Sequence, residues 1–562
     1  MNLYNHLTNE INSINKNRIN MYVCGSTVHA ISHIGHARTY SIFDSIRKFL
    51  ISQKCIVNYG MNVTDIDQKI ITKVTILHYY NLVKKICQSD QSVQSVQSVQ
   101  PVQPTELYKI TQSDEIKEIL NNIELIGLNK ISPNDLKHMS AKLEFFLENC
   151  IEIGIITEDI MTPPYETYKQ FIDEKTNLFW KEMDQINIAR PTTIIRVSDV
   201  IVEIQQMIDD LISKNYAYES NGSVYFDTTN YNQNFCQCAL NNSTENDISI
   251  KNTYNEEKKN PHDFALWKKA KPRSICWDSK WGKGTAGWHI ECSLISSKMF
   301  KDNIDLHGGG IDLKYPHHHN EVLQSNSYYA KFDVFKHFAY VGHVCTNGEK
   351  MAQSVGNYTS LEDYLLAHSS NSLRLLFWLS PWYNPVELSD SLVNQAVMME
   401  KRIEEFLSTI NYNLNLPSNS QQDIMLNSQQ DITLIFDKFE KINDLLRNNF
   451  ETTQAIIEFN NIITTLNILI KTNSIDNAIL SEISKLSENL LNIIGWKIKK
   501  SSNNNVIDDL RDLKIIEKLL EFRNLLRKNG QYNLSDEIRE NIIPLFGYKI
   551  QDLKDGTKIQ KI

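Results

Sequence analysis

The sequence has no long apolar run, few cysteines for its length and no excess of positive charge. No apolar stretch reaches the roughly 18 residues of a transmembrane helix, so we expect no membrane partner. The nine cysteines are scattered and odd in number, which argues against a disulfide scaffold and favours a reducing compartment. The start, MNLYNHLTNEINSINKN, lacks the apolar core of a signal peptide and the Arg-rich pattern of a transit peptide. These absences predict a cytoplasmic protein.

Acidic residues outnumber basic ones, 67 to 58, which gives a formal net charge of −9. A chain with this balance is not attracted as a whole to a polyanion, so any contact with nucleic acid must use a local basic patch. At 562 residues the chain is too long for one core, and roughly three to four domains are expected.

Strand and helix patterns alternate near the start of the chain. We predict a strand in NRINMYVC, a loop over Ser26 to His36, a helix over Ala37 to Ile51 and a second strand in CIVNYGMNVTD. This βαβ pattern predicts a Rossmann-type parallel sheet with a ligand at the loop after its first strand. That loop holds His33-Ile34-Gly35-His36, where a glycine permits close backbone approach and imidazoles can donate to phosphate oxygens.

The rest of the chain divides by composition. The SVQ repeat over Ser89 to Thr105 predicts a disordered insertion, and Glu106 to Gly154 predicts two helices. The α/β pattern returns from Leu178, with ARPTTIIRVSDVIVEIQQMIDDLISKNYAY interpreted as a turn and one long helix. Residues 395–495 predict amphipathic helices, and SSNNN at 501–505 predicts a linker. Residues 511–562 predict a basic helix pair with a Gly-rich end.

Cysteine, histidine and glutamate cluster in GWHIECSLISSKMFKDNIDLHGGGIDLKYPHHHNE. His317 and Glu321 are four residues apart and would share one helix face, which with Cys292 suits a divalent metal. Cys24, at the end of the first strand, is the candidate for a fourth ligand. The alternative is that both cysteines are small buried hydrophobes and the histidines a solvated loop.

Several segments taken together resemble the cysteinyl-tRNA synthetase family, and its eukaryotic cytosolic branch in particular. They are CGSTVHAISHIGHART, NVTDIDQKII, NGSVYFDT, DFALWK, GWHIECS, DLHGGGIDLKYPHHHNE and EKMAQSVGN, in order from about residue 20 to about residue 400. The resemblance implies a Rossmann-type α/β catalytic domain with a helical insertion, followed by an all-α bundle that binds the anticodon. It implies activation of L-cysteine by ATP with Mg²⁺, and transfer of cysteine to the 3′ end of tRNA(Cys).

On this resemblance we predict six segments. They are a first half of the catalytic domain (1–75), a connective insertion (76–177), a second half with the metal site (178–345), a loop and stem-contact region (346–394), the helical anticodon-binding domain (395–500) and a C-terminal tRNA-binding region (506–562).

The resemblance also implies roles for single residues. One Zn²⁺ would be held by Cys24, Cys292, His317 and Glu321, and the substrate cysteine would contact Thr64 and Trp288. ATP would meet His33, Gly35 and His36 on its phosphate side, and His307, Gly308, Gly309, Gly310 and Asp312 on its adenosine side. His318 and His319 would be positioning or structural residues.

The chain departs from the family in its KMSKS loop, which here is Lys350-Met351-Ala352-Gln353-Ser354. His33, His36 and Lys350 would be catalytic, but Gln353 replaces a lysine that would contact ATP phosphates. A neutral amide cannot neutralise charge that develops on pyrophosphate, so turnover would be slower.

Two other functions stay open at this point. One is a ligase of the same fold that joins cysteine to a small amine, although such enzymes lack the long helical C-terminal half. The other is a tRNA-binding protein that no longer activates cysteine. It is supported by Gln353, which replaces a lysine of the KMSKS loop.

Overall fold

The structure is a computed structural model that describes most of the chain. It covers residues 1–93, 114–126, 131, 133–153, 155–234, 256–351, 356–415, 426–472, 474–497, 503–546, 548–553 and 556–561. Contacts divide the chain into two compact units, Met1–Trp496 and Lys497–Ile562. The boundaries predicted inside the first unit stay predictions.

The strands of the first unit form four sheets. In chain order they are β1 (Asn2–Asn5), β2 (Glu10–Ser13), β3 (Arg18–Val23), β4 (Ile56–Val63), β5 (Thr193–Arg196), β6 (Ala217–Ser220), β7 (Ser223–Phe226), β8 (Phe264–Lys269), β9 (Gly284–Ala286), β10 (Leu306–Gly310), β11 (Phe338–Val341), β12 (Val344–Thr346), β13 (Glu349–Lys350) and β14 (Val386–Glu387).

The central sheet has five strands in the order β11-β10-β3-β4-β5, and every neighbouring pair is parallel. The chain proceeds outward from β3 through β4 to β5, then returns to β10 on the other side of β3. Winding therefore reverses between β3 and β10, which is where ligands bind in doubly wound folds. The predicted Rossmann-type sheet is confirmed. A second, antiparallel sheet has the order β6-β7-β8-β9.

Helices cover the sheet and build the rest of the first unit. They are α1 (Ile34–Ser52), α2 (Gln68–Val93), α3 (Asp114–Ile126), α4 (Pro133–Glu152), α5 (Tyr165–Gln185), α6 (Ile201–Ser213), α7 (Thr228–Asn234), α8 (Trp288–Phe300), α9 (His319–Tyr329), α10 (Leu361–Ala367), α11 (Ser370–Trp378), α12 (Asp390–Leu414), α13 (Leu426–Arg447), α14 (Thr452–Lys471) and α15 (Asn477–Ile494). Among the residues described, no helix is both long and apolar enough to cross a membrane.

Three predictions of local structure were wrong in part. Helix α1 begins at Ile34 and not at Ala37, because the His33 side chain caps it. Helix α2 continues through Val93, so the first residues of the SVQ segment are helical, and residues 94–105 lie outside the described part. The segment predicted as one helix after Leu178 contains strand β5, which pairs with β4 at the sheet edge.

The predicted helical region after residue 395 is confirmed as α12 to α15, and its last helix packs against α1 beside the central sheet. Arg374 of α11 is buried and forms an ion pair with Asp44 of α1, which is equally buried. Trp382 donates from its indole N–H to the carbonyl of Asn449 at 2.9 Å, between α13 and α14. These buried polar contacts join α11 to α1, and the segment after α11 to the connection between α13 and α14.

The second unit is small. It contains α16 (Asn503–Lys528), α17 (Tyr532–Glu537) and a hairpin of β15 (Tyr548–Leu553) and β16 (Gly556–Lys561) around a core that includes Ile516 and Ile543. The predicted Gly-rich end is therefore a β-hairpin, and the predicted linker at 501–505 already belongs to a helix from Asn503.

Candidate active site and metal centre

A cavity of about 970 Å³ opens at the carboxyl ends of β3, β4 and β10. Its walls include Cys24 after β3, Thr64 after β4 and Gly310 at the end of β10. The cavity thus lies at the point where the winding of the sheet reverses, as the sequence predicted for a nucleotide-binding fold.

Cysteine, histidine and glutamate side chains converge at the base of this cavity. The Sγ atom of Cys24 lies 3.5 Å from Sγ of Cys292, 3.5 Å from Nε2 of His317 and 3.6 Å from Oε1 of Glu321. Nε2 of His317 lies 3.0 Å from the same Glu321 oxygen. All four side chains are buried. The chain therefore brings together residues nearly three hundred positions apart, with Cys24 and Glu321 separated by 297.

This donor set fits a tetrahedral metal ion. Zinc bonds of about 2.3 Å to sulfur and 2.0 Å to nitrogen require ligand atoms about 3.3–3.8 Å apart. The four separations given above, 3.0 to 3.6 Å, fall in or just below that range. Two thiols, an imidazole and a carboxylate are also ligands that zinc prefers.

Charge inside the cluster is balanced by its own members. Burial raises the pKa of the Cys24 thiol. Burial also acts on Cys292, but its hydrogen bond to Cys24 and the proximity of His317 lower the pKa of Cys292 to about 6. Against burial, Glu321 and Cys292 raise the pKa of His317 to about 10. Because metal ligands bind deprotonated, a divalent cation at these donors would displace protons.

Two histidines that orient the ligands were not assigned that role from the sequence. Nδ1 of His289 lies 3.1 Å from Nδ1 of His317, and Nε2 of His307 lies 2.9 Å from Oε2 of Glu321. The position of His289, three residues before Cys292 on α8, was the available signal, because i,i+3 residues share a helix face. No pattern in the sequence linked His307 to Glu321.

His318 also points at the cluster. Its Nε2 lies 3.4 Å from Sγ of Cys24 and 3.9 Å from Oε1 of Glu321, and its Nδ1 lies 3.0 Å from the Tyr340 hydroxyl. The structure thus places His318 among the residues that could donate to a metal. Its predicted role as a positioning residue stays a prediction.

The His33 motif forms the N-terminus of α1. Nδ1 of His33 accepts from the backbone N–H of Gly35 at 3.0 Å, and Nδ1 of His36 accepts from the N–H of His33 at 3.4 Å. A Cβ on Gly35 would lie 2.8 Å from the His33 ring, so glycine is required here. Because both Nδ1 atoms accept, each neutral ring carries its proton on Nε2 and can donate it to a ligand.

Both of these rings are uncharged at neutral pH. Burial lowers the pKa of His33 to about 4 and that of His36 well below its usual value. The two stacked imidazoles, whose centroids are 3.8 Å apart, therefore offer hydrogen bonds and no positive charge.

Lys350 and Asp312 complete the side of the cavity where ATP phosphates were predicted. Nζ of Lys350 lies 3.4 Å from Oδ2 of Asp312. Both residues line the cavity together with His33 and His36. Gln353 lies outside the described residues.

The predicted adenosine contacts are only partly compatible with the structure. Gly310 and Asp312 line the cavity, whereas His307, Gly308 and Gly309 do not. His307 is fully buried against Glu321, and a Cβ on Gly308 would lie 2.3 Å from the ring of Phe43. In this structure His307 contacts the Glu321 carboxylate and Gly308 lets α1 pack against β10, and the ATP contacts of His307, Gly308 and Gly309 stay predictions.

The residues predicted to contact cysteine adjoin the cluster. Thr64 is buried, and its Oγ1 accepts from Nδ2 of Asn62 at 2.8 Å. The ring of Trp288 lies 4.4 Å from that of His317 and is 38% exposed toward the cavity that it lines. Both side chains are thus placed to enclose a small ligand beside the donors.

The basic residues of the C-terminal segment have varied surroundings, and the predicted tRNA-binding role of this segment stays a prediction. Arg523 is buried and donates to the carbonyl of Ser535, while Lys518 and Arg539 form ion pairs with neighbouring carboxylates. The side chains of Arg511 and Lys514 lie outside the described part.

Comparison with known proteins agrees with this geometry. Residues 10–398 match the family described as "tRNA synthetases class I (C) catalytic domain". The chain is 29% identical to "Cysteine–tRNA ligase, cytoplasmic" of Gallus gallus, with 100% of this chain and 82% of the relative covered. It is also 29% identical to the protein of the same name from Homo sapiens, with the same coverage.

Solved structures agree at the level of the fold. A Mycobacterium tuberculosis methionyl-tRNA synthetase bound by methionyl-adenylate superposes with a TM-score of 0.53 at 10% identity, covering 85% of this chain and 92% of that one. At this identity the likeness concerns the fold alone. The cavity at the point where the winding of the sheet reverses agrees with this fold. Because the family match spans most of the chain, this protein belongs to the class I (C) tRNA synthetases.

Proposed function

We propose that this protein is a cysteine–tRNA ligase, which activates L-cysteine with ATP and transfers it to the 3′ end of tRNA(Cys). The observation that carries the proposal is the buried donor set of Cys24, Cys292, His317 and Glu321 at the base of the cavity. Zn²⁺ held by these residues would bind the substrate thiolate, which a serine hydroxyl cannot match. The proposal agrees with the printed names of the relatives, which also support a cytoplasmic location.

The residues beside the donors would fix the amino acid. Trp288 and Thr64 form the walls next to His317 and Cys24, so a small side chain is enclosed and larger ones are excluded. The site then selects by sulfur chemistry, which separates cysteine from serine without a hydrolytic editing site.

In the first step a cysteine carboxylate oxygen attacks the α-phosphorus of ATP, and pyrophosphate leaves. The Nε2–H groups of His33 and His36 would donate to phosphate oxygens, while the ammonium of Lys350 would balance charge on the leaving group. In the second step a 3′-terminal ribose hydroxyl attacks the carbonyl carbon of the adenylate, and AMP leaves. No covalent intermediate with the enzyme is needed, so catalysis consists of positioning and charge stabilisation.

Cysteine-dependent exchange of pyrophosphate into ATP tests the first step. We expect exchange with cysteine, and at least about a hundredfold lower kcat/KM with serine, because a bond to sulfur has no counterpart for a hydroxyl. Metal-loaded protein without exchange would contradict catalysis and favour a tRNA-binding protein that has lost activation.

Charging of tRNA(Cys) tests the second step. A ligase for small amines would show exchange but no acid-precipitable cysteinyl-tRNA, and would instead form an amide with an added amine. The long helical region packed on the catalytic core favours a large acceptor.

A further inference from the structure

Four lysines that line the cavity have no role in the proposed reaction. Lys69 and Lys73 line it from α2, where they are one turn apart. Lys137 lines it from α4 and Lys271 from the segment after β8. Three segments far apart in the sequence therefore contribute lysines to the lining of one cavity, and we call these four residues the lysine wall (Lys69, Lys73, Lys137 and Lys271).

The lysine wall is an uncompensated positive charge in an acidic protein. Asp312 is the only acidic residue among the described residues that line the cavity, and it lies 3.4 Å from Lys350. Within the described part of the chain, no carboxylate forms an ion pair with Lys69, Lys137 or Lys271. The chain as a whole has a formal net charge of −9, so this local excess of lysine is not a reflection of composition.

One member of the wall is held rigidly and the others extend to solvent. Lys73 is only 7% exposed, and its Nζ donates to the carbonyl of His29 at 2.9 Å. Lys69, Lys137 and Lys271 are exposed. The wall therefore combines one buried ammonium with three solvent-accessible ones, so that a long anion could contact several of them at once.

The end of the cavity assigned to ATP differs in charge. Its imidazoles, His33 and His36, are neutral because burial lowers the pKa of each ring. Its described lysine, Lys350, is close to Asp312. The triphosphate thus has hydrogen-bond donors of its own, and the lysines of the wall are additional cations without a carboxylate partner among the described residues.

We propose that the lysine wall binds backbone phosphates of the 3′ end of the RNA substrate and guides it to the adenylate. This proposal rests on the proposed function, since it names the surface by which the same cavity admits its second substrate. Lysine ammonium groups bind phosphodiesters without reading sequence. Ile131, which is partly exposed and also lines the cavity, adds apolar surface against which an unstacked base can lie. In this acidic protein, the electrostatic attraction for RNA would then come from the lysines that line the active-site cavity.

The test compares two double variants that remove the same charge. Lys69→Gln with Lys271→Gln removes two exposed members of the wall. Lys181→Gln with Lys301→Gln removes two exposed lysines that do not line the cavity. For each variant we would measure the KM for tRNA in charging, the KM for ATP in cysteine-dependent exchange, and the affinity for tRNA by fluorescence anisotropy over a series of salt concentrations.

We expect the wall variant to raise the KM for tRNA roughly fivefold or more and to reduce the salt dependence of tRNA affinity by about one unit of log–log slope per lysine. The control variant should show neither effect. A KM for ATP that rises as much as the KM for tRNA would overturn the proposal, because the wall would then bind the triphosphate. The proposal would also be overturned if the wall and control variants had the same KM for tRNA and the same salt dependence of tRNA affinity.

The proposed function fails separately from this inference. If the unmodified protein shows no cysteine-dependent exchange, the proposed function is rejected, and anisotropy still decides whether the wall binds RNA. A loss of affinity confined to the wall variant supports the wall, and no loss rejects it.

Discussion

His307 and Glu321 form a buried pair in which Nε2 of the imidazole lies 2.9 Å from Oε2 of the carboxylate, while the other carboxylate oxygen faces Cys24 and His317. Despite burial, His307 and His317 hold the pKa of Glu321 well below its usual value. The Glu321 carboxylate thus links His307 to the metal donors. His307 fixes one of its oxygens, and the other oxygen is available to bind a metal ion.

The pair predicts an effect of His307 on metal affinity. We expect His307→Phe to weaken zinc binding about 10- to 100-fold, since the ring is retained but the hydrogen bond that orients Glu321 is lost. Competition with a chromogenic chelator would measure the affinity. His319→Gln is the control, because His319 is also a buried histidine but packs against the ring of Tyr315. An unchanged affinity in His307→Phe would show that Glu321 needs no such support.

Cys292 should be required for both metal content and selectivity. We expect Cys292→Ser to lose most of its zinc and its preference for cysteine over serine, because an alcohol is a poor ligand for zinc. Atomic emission gives the metal content and exchange assays give the preference. Cys55→Ser is the matched control, since the Cys55 thiol is partly exposed and contacts the carbonyl of Lys16. Full zinc content in Cys292→Ser would mean that the ligands are misassigned.

Gln353 should limit the rate of adenylate formation. We expect Gln353→Lys to raise the single-turnover rate by about tenfold, equivalent to about 1.4 kcal/mol of transition-state stabilisation by one added charge. Gln395→Lys adds the same charge on α12 and should leave the rate unchanged. A rate that stays the same or falls in Gln353→Lys would show that the loop no longer acts on the leaving group.

Stability should fall below pH 6.5 through buried histidines outside the metal site. Burial lowers the pKa of His337 from 6.5 to about 4. Between these values the unfolded chain binds a proton that the folded chain does not, so stability is full above pH 6.5 and is lost as the pH falls. At pH 5.5 this one group should cost about 1.4 kcal/mol.

Urea unfolding at pH 7.5 and 5.5 would measure this loss. In His337→Gln the difference between the two pH values should shrink by about 1.4 kcal/mol. His262→Gln, which changes an exposed histidine, should preserve the difference. A pH dependence that is the same in all three proteins would remove His337 from the explanation.

Most of the fold was accessible from the sequence because strand and helix patterns are local. The βαβ unit and the bundle follow from periodicity, whereas β5 was missed because four residues within an apolar segment look like the start of the next helix. The cap at His33 was missed because histidine is an unusual capping residue.

The candidate site was predictable where chemistry alone selects the residue and unpredictable where packing does. Cys24, Cys292, His317 and Glu321 were identified by their ligand chemistry, and the structure brings them together. His307 was assigned to ATP because it begins a glycine-rich segment, yet its contact is decided by the pairing of β10 with β3 and β11. Likewise, the lysine wall depends on the packing of α2, α4 and the segment after β8, which no spacing within the sequence encodes.

The separation of 297 residues between Cys24 and Glu321 has a consequence for biosynthesis. At roughly 5–20 residues per second, the ribosome delivers Cys24 about 15–60 s before Glu321 is available. Until Cys292 is synthesised, 268 residues after Cys24, the thiol of Cys24 has none of its native partners, so nascent chains are sensitive to oxidants in a way that the finished protein is not. Zinc and reducing conditions during translation, more than after it, should therefore set the yield of correctly folded molecules.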